Sequence, residues 1–313
     1  MWIPATTTDI ITPTAIALGN FDGVHLGHAQ VLSQILDSSF DGATETVLQP
    51  TVVSFTPHPR EFFSGQRQLL LTPLDEKVEQ LEKLGIQQLV LLPFTQALAR
   101  LSPQDFVEQI VVKDLKAQKV TVGNDFRFGY QRQGNVEDLQ AIASQFGTAV
   151  RIAPLKTEGE HRISSSLIRA ALAEGDVKHA NQMLGRPYCL QGTVIDGKKL
   201  GRTLGFPTAN LHLPETKLLP RLGVYCVEIF LKDIPQKAFG GVMNIGYRPT
   251  VGQSQVSVEV HLFDWAADLY GQSLSVNLLA FLRPEQKFAS LEALKAQITQ
   301  DCQQAHRILA AIV

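Results

Sequence analysis

The stretch GNFDGVHLGH (19–28) follows a short apolar run, TAIAL (14–18), and leads into a helical pattern that opens near Gly27. It joins a turn of Gly, Asn and Asp to two histidines, His25 and His28, which are three residues apart. A strand, a turn and a helix in this order predict a ligand site at the carboxyl edge of a parallel sheet. The helix N-terminus at such an edge attracts phosphate through its free N–H groups and partial positive charge.

The two histidines have three interpretations. At a helix N-terminus, His25 and His28 can donate hydrogen bonds to phosphate oxygens as charge builds in a transition state. They can also be solvated or capping residues. A metal site is the third interpretation, but no carboxylate or third histidine lies nearby at ligand spacing. The Gly–Asp–Gly turn before the HxGH element favours the phosphate-binding function.

The composition of the whole chain narrows the function classes. Its 313 residues are enough for two domains, and its net charge of −2 disfavours binding to long nucleic acid while permitting small anionic ligands. The cysteines Cys189, Cys226 and Cys302 form no CxxC pair, so no disulfide framework or zinc site is readable, and a reducing cytosol fits. We expect no signal peptide and no membrane span, and hence a cytoplasmic protein.

The first half of the chain alternates apolar runs with helical patterns, which predicts a parallel sheet covered on both faces. The candidate strands are 14–18, 51–56, 88–94, 119–123 and 149–155. The candidate helices lie near 27–38, 75–84, 103–116, 136–147, 165–173 and 176–184. Ser102 and Pro103 fit an N-cap followed by proline at the first helical position.

After LGRPY (184–188) the strand-like runs are separated by Gly and Pro turns, which predicts a small antiparallel sheet or barrel. The candidate strands are 189–195, 223–231, 238–245, 256–263 and 274–282, and a final helical pattern runs from Ser290 to about Ile312. The change of pattern predicts two domains, 1–184 and 185–313.

The HxGH element after a strand resembles the nucleotidylyltransferase superfamily, and the wider chain resembles the bacterial bifunctional riboflavin kinase and FAD synthetase family. The further matching motifs are SFTPHPREFF (54–63), VGNDFRFG (122–129), ISSSLIRAAL (163–172), GRTLGFPTANL (201–211), GVYCVEI (223–229), VEVHLFDWAADLYG (258–271) and FLRPEQKF (281–288). One HxGH is a weak signal, whereas this many motifs in this order, across nearly the whole chain, are a specific one.

The resemblance implies a fold and two reactions. The fold is an α/β nucleotidylyltransferase-like N-terminal domain with a Rossmann-like parallel sheet, followed by an antiparallel β-barrel riboflavin kinase domain with a terminal helix. In the first reaction riboflavin and ATP give FMN, and in the second FMN and ATP give FAD and pyrophosphate. The implied partners are therefore flavins and ATP, with neither nucleic acid nor membrane.

Adenylyl transfer needs charge stabilisation rather than a general base, because the attacking phosphate of FMN is already ionised at neutral pH. The candidate catalytic residues are His25, His28 and Arg162. The resemblance assigns the loop at 162–169 to the β- and γ-phosphates. The candidate phosphate-binding residues of this half are Gly19, Asn20, Phe21, Asp22, Gly23, Ser164, Ser165, Ser166 and Arg169. Without the family, the serines are a plain N-cap and Arg169 is a solvated helix residue.

Flavin contacts are implied near SFTPHP and VGNDFRFG, where aromatic faces suit stacking on the isoalloxazine ring. The candidates in this half are Phe55, Phe62, Asp125, Phe126 and Phe128. For each phenylalanine, a place in the core is an equally good interpretation. For His58, which lies between two prolines, a structural role is as good an interpretation as a ligand contact. Arg283 resembles a flavin-nucleotide contact in the RPE motif, with a surface salt bridge as the alternative.

The kinase reaction needs a general base, because its nucleophile is a ribityl hydroxyl. Alternation along SVEVHLF (257–263) places Glu259 on the face opposite to Val258 and Val260. The resemblance assigns the role of base to Glu259. The alternative is an ordinary glutamate that faces solvent.

Magnesium is expected in the kinase half, because it bridges phosphates in such reactions. Thr208 and Asn210 are two residues apart in GFPTAN, so an extended chain presents both oxygens on one side, and hard oxygen ligands suit Mg²⁺. The family uses these two positions as metal ligands.

A glycine-rich flap, GKKLGRTLGF (197–206), precedes GFPTAN and offers Gly197, Lys198 and Gly205 to the ATP phosphates. It is not a Walker A loop. Without the resemblance to the family, the glycine pattern alone predicts a turn. This chain departs from the family at two positions. Ser166 stands where the family commonly has threonine, which keeps the hydroxyl. Asp196 stands where it often has histidine, which puts an acid beside the flap.

Three rival functions remain: a chain with a single activity, a flavin-binding regulator without catalysis, and another HxGH transferase that acts on a pantetheine or nicotinamide nucleotide. The intact HxGH, PTAN and Glu259 argue against the first two. The GFPTAN module argues against the third.

Overall fold

The computed structural model describes residues 1–36, 47–154, 156–158, 161–196, 205–249 and 254–312. The chain forms two compact units, Met1–Ser165 and Ser166–Val313, each with its own sheet and core.

The first unit is built on a parallel sheet. Its strands are β1 (Thr14–Leu18), β2 (Gln49–Thr56), β3 (Gln88–Pro93), β4 (Ala117–Gly123) and β5 (Ala149–Ala153), with a small antiparallel pair, β6 (Thr157–Glu158) and β7 (His161–Arg162). The sheet order is β3-β2-β1-β4-β5, and all of its neighbouring strands run parallel. The strand before GNFDG is therefore the central one, and the loop leaves the middle of the carboxyl edge.

Both faces of this sheet are buried, as the alternation of apolar runs and helices predicts. On β1, Ile16 and Leu18 belong to one hydrophobic cluster, while Ala15 and Ala17 belong to the cluster on the opposite face. A strand that is buried on both sides reads as a continuous apolar run, which explains why TAIAL shows no alternation.

The predicted helices are found close to their expected bounds within the described residues, and two short helices, at 59–64 and 96–99, were not predicted. The helices are α1 (Leu26–Leu36), α2 (Pro59–Ser64), α3 (Leu74–Lys83), α4 (Gln96–Ala99), α5 (Pro103–Asp105), α6 (Val136–Ser144), α7 (Ser165–Glu174), α8 (Val177–Leu184) and α9 (Leu291–Ala310). Ser102 caps α5, with its side chain accepting from the Asp105 N–H, and Pro103 follows it as predicted. The helix expected over 103–116 continues after Asp105 as a π-helix over Phe106–Asp114. The ends expected at 38 for the first helix and at 155 for the fifth strand lie outside the described residues.

The second unit contains a closed antiparallel barrel, which decides between the open sheet and the barrel that the sequence predicts. Its strands are β8 (Tyr188–Ile195), β9 (Ala209–His212), β10 (Gly223–Leu231), β11 (Ile234–Pro249), β12 (Ser254–Leu262) and β13 (Ser273–Arg283), in the barrel order β10-β11-β12-β9-β8-β13. The fold class expected from the sequence is thus confirmed. Strand β9 was not expected as a separate strand, because four residues carry too little periodicity to predict one.

The terminal helix α9 covers one side of the barrel. Val224 and Cys226 on β10 point to the outside of the barrel and join Cys302 and Ala305 of α9 in one cluster of buried residues. The neighbouring Val227, with 0% exposure, points inward. Alternation along β10 thus divides its side chains between the interior of the barrel and the contact with α9.

Helices α7 and α8 pack with the barrel rather than with the parallel sheet. Asn181 of α8 donates from Nδ2 to the Leu278 carbonyl at 2.9 Å, and its Oδ1 accepts from the Tyr188 N–H at 2.7 Å. The Arg221 N–H donates to the Leu172 carbonyl of α7 at 2.8 Å. The structural division therefore falls at 165/166, earlier than the functional boundary that the sequence predicts at 184/185, which stays a prediction.

Candidate functional site

The GNFDG loop and the following Val24 have backbone dihedral angles that most residues avoid. Phe21, Gly23 and Val24 have positive φ angles of 48°, 89° and 41°. Glycine adopts such values freely, but a bulky or β-branched residue there costs about 1–3 kcal/mol. The loop therefore keeps this form only because its surroundings hold it.

Residues from a distant turn hold the loop. The Asp22 carboxylate, 7% exposed, accepts hydrogen bonds from the N–H groups of Leu71 at 2.9 Å and of Thr72 at 3.2 Å. In return, the Gly23 N–H donates to the Thr72 hydroxyl at 2.9 Å. Asp22 is thus a structural acid in this structure, and its contacts fix the turn that precedes α1.

His25 and His28 form a stacked pair at the start of α1, with ring centroids 3.6 Å apart. The His28 N–H donates to Nδ1 of His25 at 3.2 Å, so the neutral His25 ring carries its proton on Nε2. His25 is 5% exposed, which excludes a solvated side chain. Its Nδ1 caps the helix, so the capping interpretation is correct for that nitrogen. A side chain at Gly27 would have its Cβ 3.1 Å from the His25 ring, so a small residue is needed beneath the pair.

The serine loop and the histidine loop meet in the first unit. Ser165 donates from its hydroxyl to the Asp22 carbonyl at 2.8 Å, and Ser164 is half-buried beside it. Arg162 pairs with Asp125 at 2.7 Å, with both side chains exposed. Candidate residues for phosphate, for catalysis and for the flavin are thus brought together. Ser166 and Arg169 lie in α7, within the second unit, where Ser166 is exposed and Arg169 is half-buried.

An aromatic cluster stands at the carboxyl ends of β2 and β3. Phe55 and Phe62 both contact Phe94, with ring centroids 5.7 and 5.2 Å apart, and the neighbouring Phe63 is 70% exposed. Exposed aromatic faces at a ligand-binding edge suit a planar ring system. Phe63 and Phe94 are not among the candidates from the sequence, although Phe63 ends the motif at 54–63 and Phe94 ends the candidate strand at 88–94.

Phe128 takes the core alternative instead. It is 5% exposed and packs against Phe106 at 5.4 Å and against Phe126 at 5.7 Å, within the hydrophobic cluster under the sheet. His58 has a structural role as the N-cap of α2, because its Nδ1 accepts from the Arg60 N–H at 3.1 Å.

The second candidate site lies where β9 and β12 pair in the barrel. Asn210 stands directly opposite Glu259 in the antiparallel register, and the Thr208 hydroxyl lies 3.5 Å from Oε2 of Glu259. Val258 and Val260 are buried at 4% and 0%, so the predicted alternation along β12 is confirmed and Glu259 faces away from the barrel interior. Carboxylate, hydroxyl and carboxamide oxygens are thus gathered in one place.

Oδ1 of Asn210 is buried without a hydrogen-bond partner among the described residues, and the side chain is 8% exposed. A buried acceptor without a donor is costly, and a cation bound beside it removes that cost. The set therefore fits Mg²⁺, which prefers hard oxygen ligands. In the described part of the chain, no three or more His, Cys, Asp or Glu side chains are grouped to hold a metal ion.

The flap can be followed only at its ends. Gly205 has φ 87°, which favours glycine, and Asp196 at the other end is exposed. Gly197 and Lys198 lie outside the described residues.

Arg283 is held by a buried acid rather than left exposed for a ligand. Its Nε lies 3.0 Å from each carboxylate oxygen of Asp301, and its Nη2 donates to Oδ2 at 2.8 Å. Gln297 donates to the same carboxylate at 3.0 Å, and Asp301 is 4% exposed. The ion pair ties α9 to β13, so the salt-bridge alternative is the one that these contacts support.

Two family models divide the chain between them. The model described as FAD synthetase matches residues 8–167, and the model described as riboflavin kinase matches residues 184–309. The chain is 40% identical to a bifunctional riboflavin kinase/FMN adenylyltransferase of Haemophilus influenzae, covering 95% of this chain and 94% of that protein. It is 38% identical to the Bacillus subtilis protein of the same name, covering 94% and 92%.

A solved structure shares the fold over nearly the whole length. It comes from Streptococcus pneumoniae under the name macrolide-efflux protein, with a TM-score of 0.85 at 28% identity, covering 97% of this chain and 98% of that one. That name describes transport and applies to that protein. In this chain, the described residues contain no helix with the length and apolar character to cross a membrane.

Proposed function

The chain belongs to the family of bifunctional riboflavin kinases and FMN adenylyltransferases, and we propose which of its residues perform each reaction. It phosphorylates riboflavin to FMN with ATP, and it adenylylates FMN to FAD with release of pyrophosphate. The proposal assigns the second reaction to the domain 1–184 and the first to the domain 185–313. The ranges that the two family models match support this order along the chain.

Adenylyl transfer centres on the stacked His25 and His28, and this pair at the N-terminus of α1 is the observation that carries the assignment. A phosphate oxygen of FMN attacks the α-phosphorus of ATP, and the bond from that phosphorus to the bridging oxygen of pyrophosphate breaks. Negative charge moves onto the leaving group, so no proton has to be removed first. Imidazole N–H groups and the helix N-terminus stabilise that charge.

The neighbouring residues complete this proposal. The Arg162 guanidinium adds positive charge, and the hydroxyls of Ser164 and Ser165 donate to phosphate oxygens. The roles of Ser166 and Arg169 at the β- and γ-phosphates stay predictions from the resemblance. The remaining phosphate-binding residues are those of the loop, namely Gly19, Asn20, Phe21, Asp22 and Gly23, which act through the backbone that their contacts fix.

The flavin is proposed to bind at the aromatic edge of the parallel sheet. Phe55 and Phe62 offer ring faces, and Asp125, from the separate motif VGNDFRFG (122–129), is the third proposed contact of this half. Phe128 and Arg283 are weaker candidates for flavin contacts, because Phe128 lies in the core and Arg283 is paired with Asp301.

In the kinase reaction, Glu259 is the proposed general base. It accepts the proton of the ribityl hydroxyl while that oxygen attacks the γ-phosphorus, and the bond to ADP breaks. Thr208 and Asn210 would hold Mg²⁺, which neutralises phosphate charge when bound. The flap residues Gly197, Lys198 and Gly205 are proposed to cover the ATP phosphates. The free thiols Cys189, Cys226 and Cys302 support a reducing, cytoplasmic location.

The experiment is to incubate the purified chain with riboflavin, ATP and Mg²⁺ and to separate the flavins by chromatography over time. We expect FMN first and then FAD. FMN alone would contradict the assignment of the histidine pair. Neither product, with flavin still bound, would point to the non-catalytic flavin-binding protein.

A further inference from the structure

Segment 71–77 lies outside the residues assigned above, yet it makes several contacts with the GNFDG loop. The contacts of Leu71 and Thr72 with Asp22 and Gly23 hold the second half of the loop. The first half is held by Lys77, whose Nζ donates to the Asn20 carbonyl at 2.8 Å. The Ser54 hydroxyl donates to the same carbonyl at a longer 3.3 Å.

Lys77 occupies an unusual place for a lysine. It lies on α3 four residues before Leu81, which is fully buried, so the helical period turns Lys77 toward the interior. Its side chain is 9% exposed, whereas lysines are almost never buried without a partner. Burial lowers the pKa of Lys77, and the charge of Asp22 opposes that shift. The cost of burying an amine here indicates a function for it.

The geometry of the peptide bond shows what the contact does. In a planar trans peptide the C=O and the following N–H point in opposite directions. When Lys77 holds the Asn20 carbonyl toward itself, it therefore turns the Phe21 N–H the other way. In the described part of the chain, no hydrogen bond from the Phe21 N–H to another residue is formed. Loop N–H groups that are left without a partner within the chain in this way form sites for anions.

We propose that Lys77 is a positioning residue for adenylyl transfer, which orients the Asn20–Phe21 peptide so that its N–H donates to the triphosphate of ATP. The inference rests on the proposed assignment of the GNFDG loop to the ATP phosphates. Lys77 touches neither substrate in this scheme. It acts through the backbone of the loop, and Thr72 supports the same loop from the other end.

The test compares three variants of the full-length protein: Lys77→Met, which keeps the length and removes the charge, Lys77→Arg, and Lys83→Met. Lys83 is the matched control, because it lies on the same helix but is 62% exposed in an ion pair with Glu79. Loss of one charge-assisted hydrogen bond corresponds to an equilibrium constant about 10- to 100-fold less favourable. For Lys77→Met we expect the KM for ATP in FMN adenylylation to rise by about that factor, with the KM for FMN within about twofold. Lys77→Arg should recover part of the loss.

Riboflavin phosphorylation by the same variants reports whether the rest of the chain is intact, and thermal unfolding reports the first unit. A purely structural role predicts that kcat falls with the folded fraction while both KM values stay unchanged, and that result would overturn the inference. If Lys77→Met does not fold, Thr72→Val removes the acceptor of the Gly23 N–H without adding or removing charge. A Thr72→Val enzyme with an unchanged KM for ATP would overturn it equally. Undiminished FAD synthesis by His28→Ala would instead show that the site assignment itself is wrong.

Discussion

The His28 N–H donates to Nδ1 of His25 at 3.2 Å, and the two imidazole rings stack with centroids 3.6 Å apart. The pair therefore behaves as one unit, in which His25 is fixed by the helix that it caps and His28 is fixed by His25. A neutral imidazole still carries one N–H group, so each ring has a donor for a phosphate oxygen.

Replacing His28 with alanine should abolish FAD formation and leave FMN formation intact. The substitution removes an N–H donor from the transition state and also the ring that stacks on His25, so we expect a loss of at least about 100-fold. Chromatography of flavins with FMN or riboflavin as substrate measures the two activities separately. His179→Ala, an exposed histidine of α8, is the control. An equal loss of both activities in a folded His28→Ala protein would contradict the domain assignment.

Replacing Glu259 with alanine should have the reverse effect. Without the proposed base, FMN synthesis should fall by about 10²–10⁴-fold, while FMN supplied from outside is still adenylylated. Glu259→Gln keeps the size of the side chain, and its rate of FMN synthesis should fall as far. A glutamine variant with near wild-type turnover would mean that Glu259 is a packing residue of the β9–β12 pair.

Asn210→Leu tests the proposed metal ligand. Leucine has nearly the same size but lacks Oδ1, the acceptor that has no partner among the described residues. We expect a higher Mg²⁺ concentration for half-maximal FMN formation and a lower maximal rate, with FAD synthesis from added FMN retained. The measurement is a Mg²⁺ titration of both reactions. Identical titration curves for the variant and the wild type would remove Asn210 from the metal site.

Asp301→Asn should destabilise the second unit by about 2–4 kcal/mol, because it leaves the Arg283 guanidinium without its buried counter-charge. Denaturant unfolding followed by the fluorescence of Trp265, in a Trp2→Phe background, measures the change. Gln303→Ala, at an exposed position on the same helix, should change the free energy of unfolding by less than about 0.5 kcal/mol. Equal stability of Asp301→Asn and wild type would show that α9 is held by its apolar contacts alone.

Thiol reactivity should separate the cysteines. Burial raises the pKa of Cys226 to about 11, and burial together with the charge of Asp301 raises that of Cys302 to about 11. Because only the thiolate reacts, both should resist maleimide at pH 8 in the folded protein and react after unfolding. Mass spectrometry of the labelled peptides measures this, with Cys189, the half-buried cysteine, as the faster site. Rapid labelling of Cys302 in the folded protein would indicate that α9 detaches.

Much of the fold is readable from local pattern. TAIAL forms the central strand β1, in keeping with its apolar residues on both faces. The 223–231 run matches β10, because apolar runs separated by Gly and Pro turns are typical of a small antiparallel sheet or barrel. The histidine pair was found through its local turn and spacing. These features depend on residues that are close along the chain, which is the range over which periodicity carries information.

The missed features depend on contacts between distant residues. Lys77 reaches Asn20 across 57 positions, and Leu71 reaches Asp22 across 49. Arg283 pairs with Asp301, 18 residues further along the chain, and no sequence motif predicts this pair. Phe128 and Phe63 look alike as sequence, and only packing separates the core ring from the exposed one. The one local clue was the lysine on the apolar face of α3.

Asn181 has a practical consequence for separating the two activities. Its side chain bonds to β8 and β13 at once, so a barrel fragment cut at residue 185 would leave the Leu278 carbonyl and the Tyr188 N–H without their partners. A gene split at the predicted boundary, 184/185, would thus produce a kinase fragment with two unpaired backbone groups in the barrel wall. A split at 165/166 keeps α7 and α8 with the barrel, and the independent kinase should be sought there.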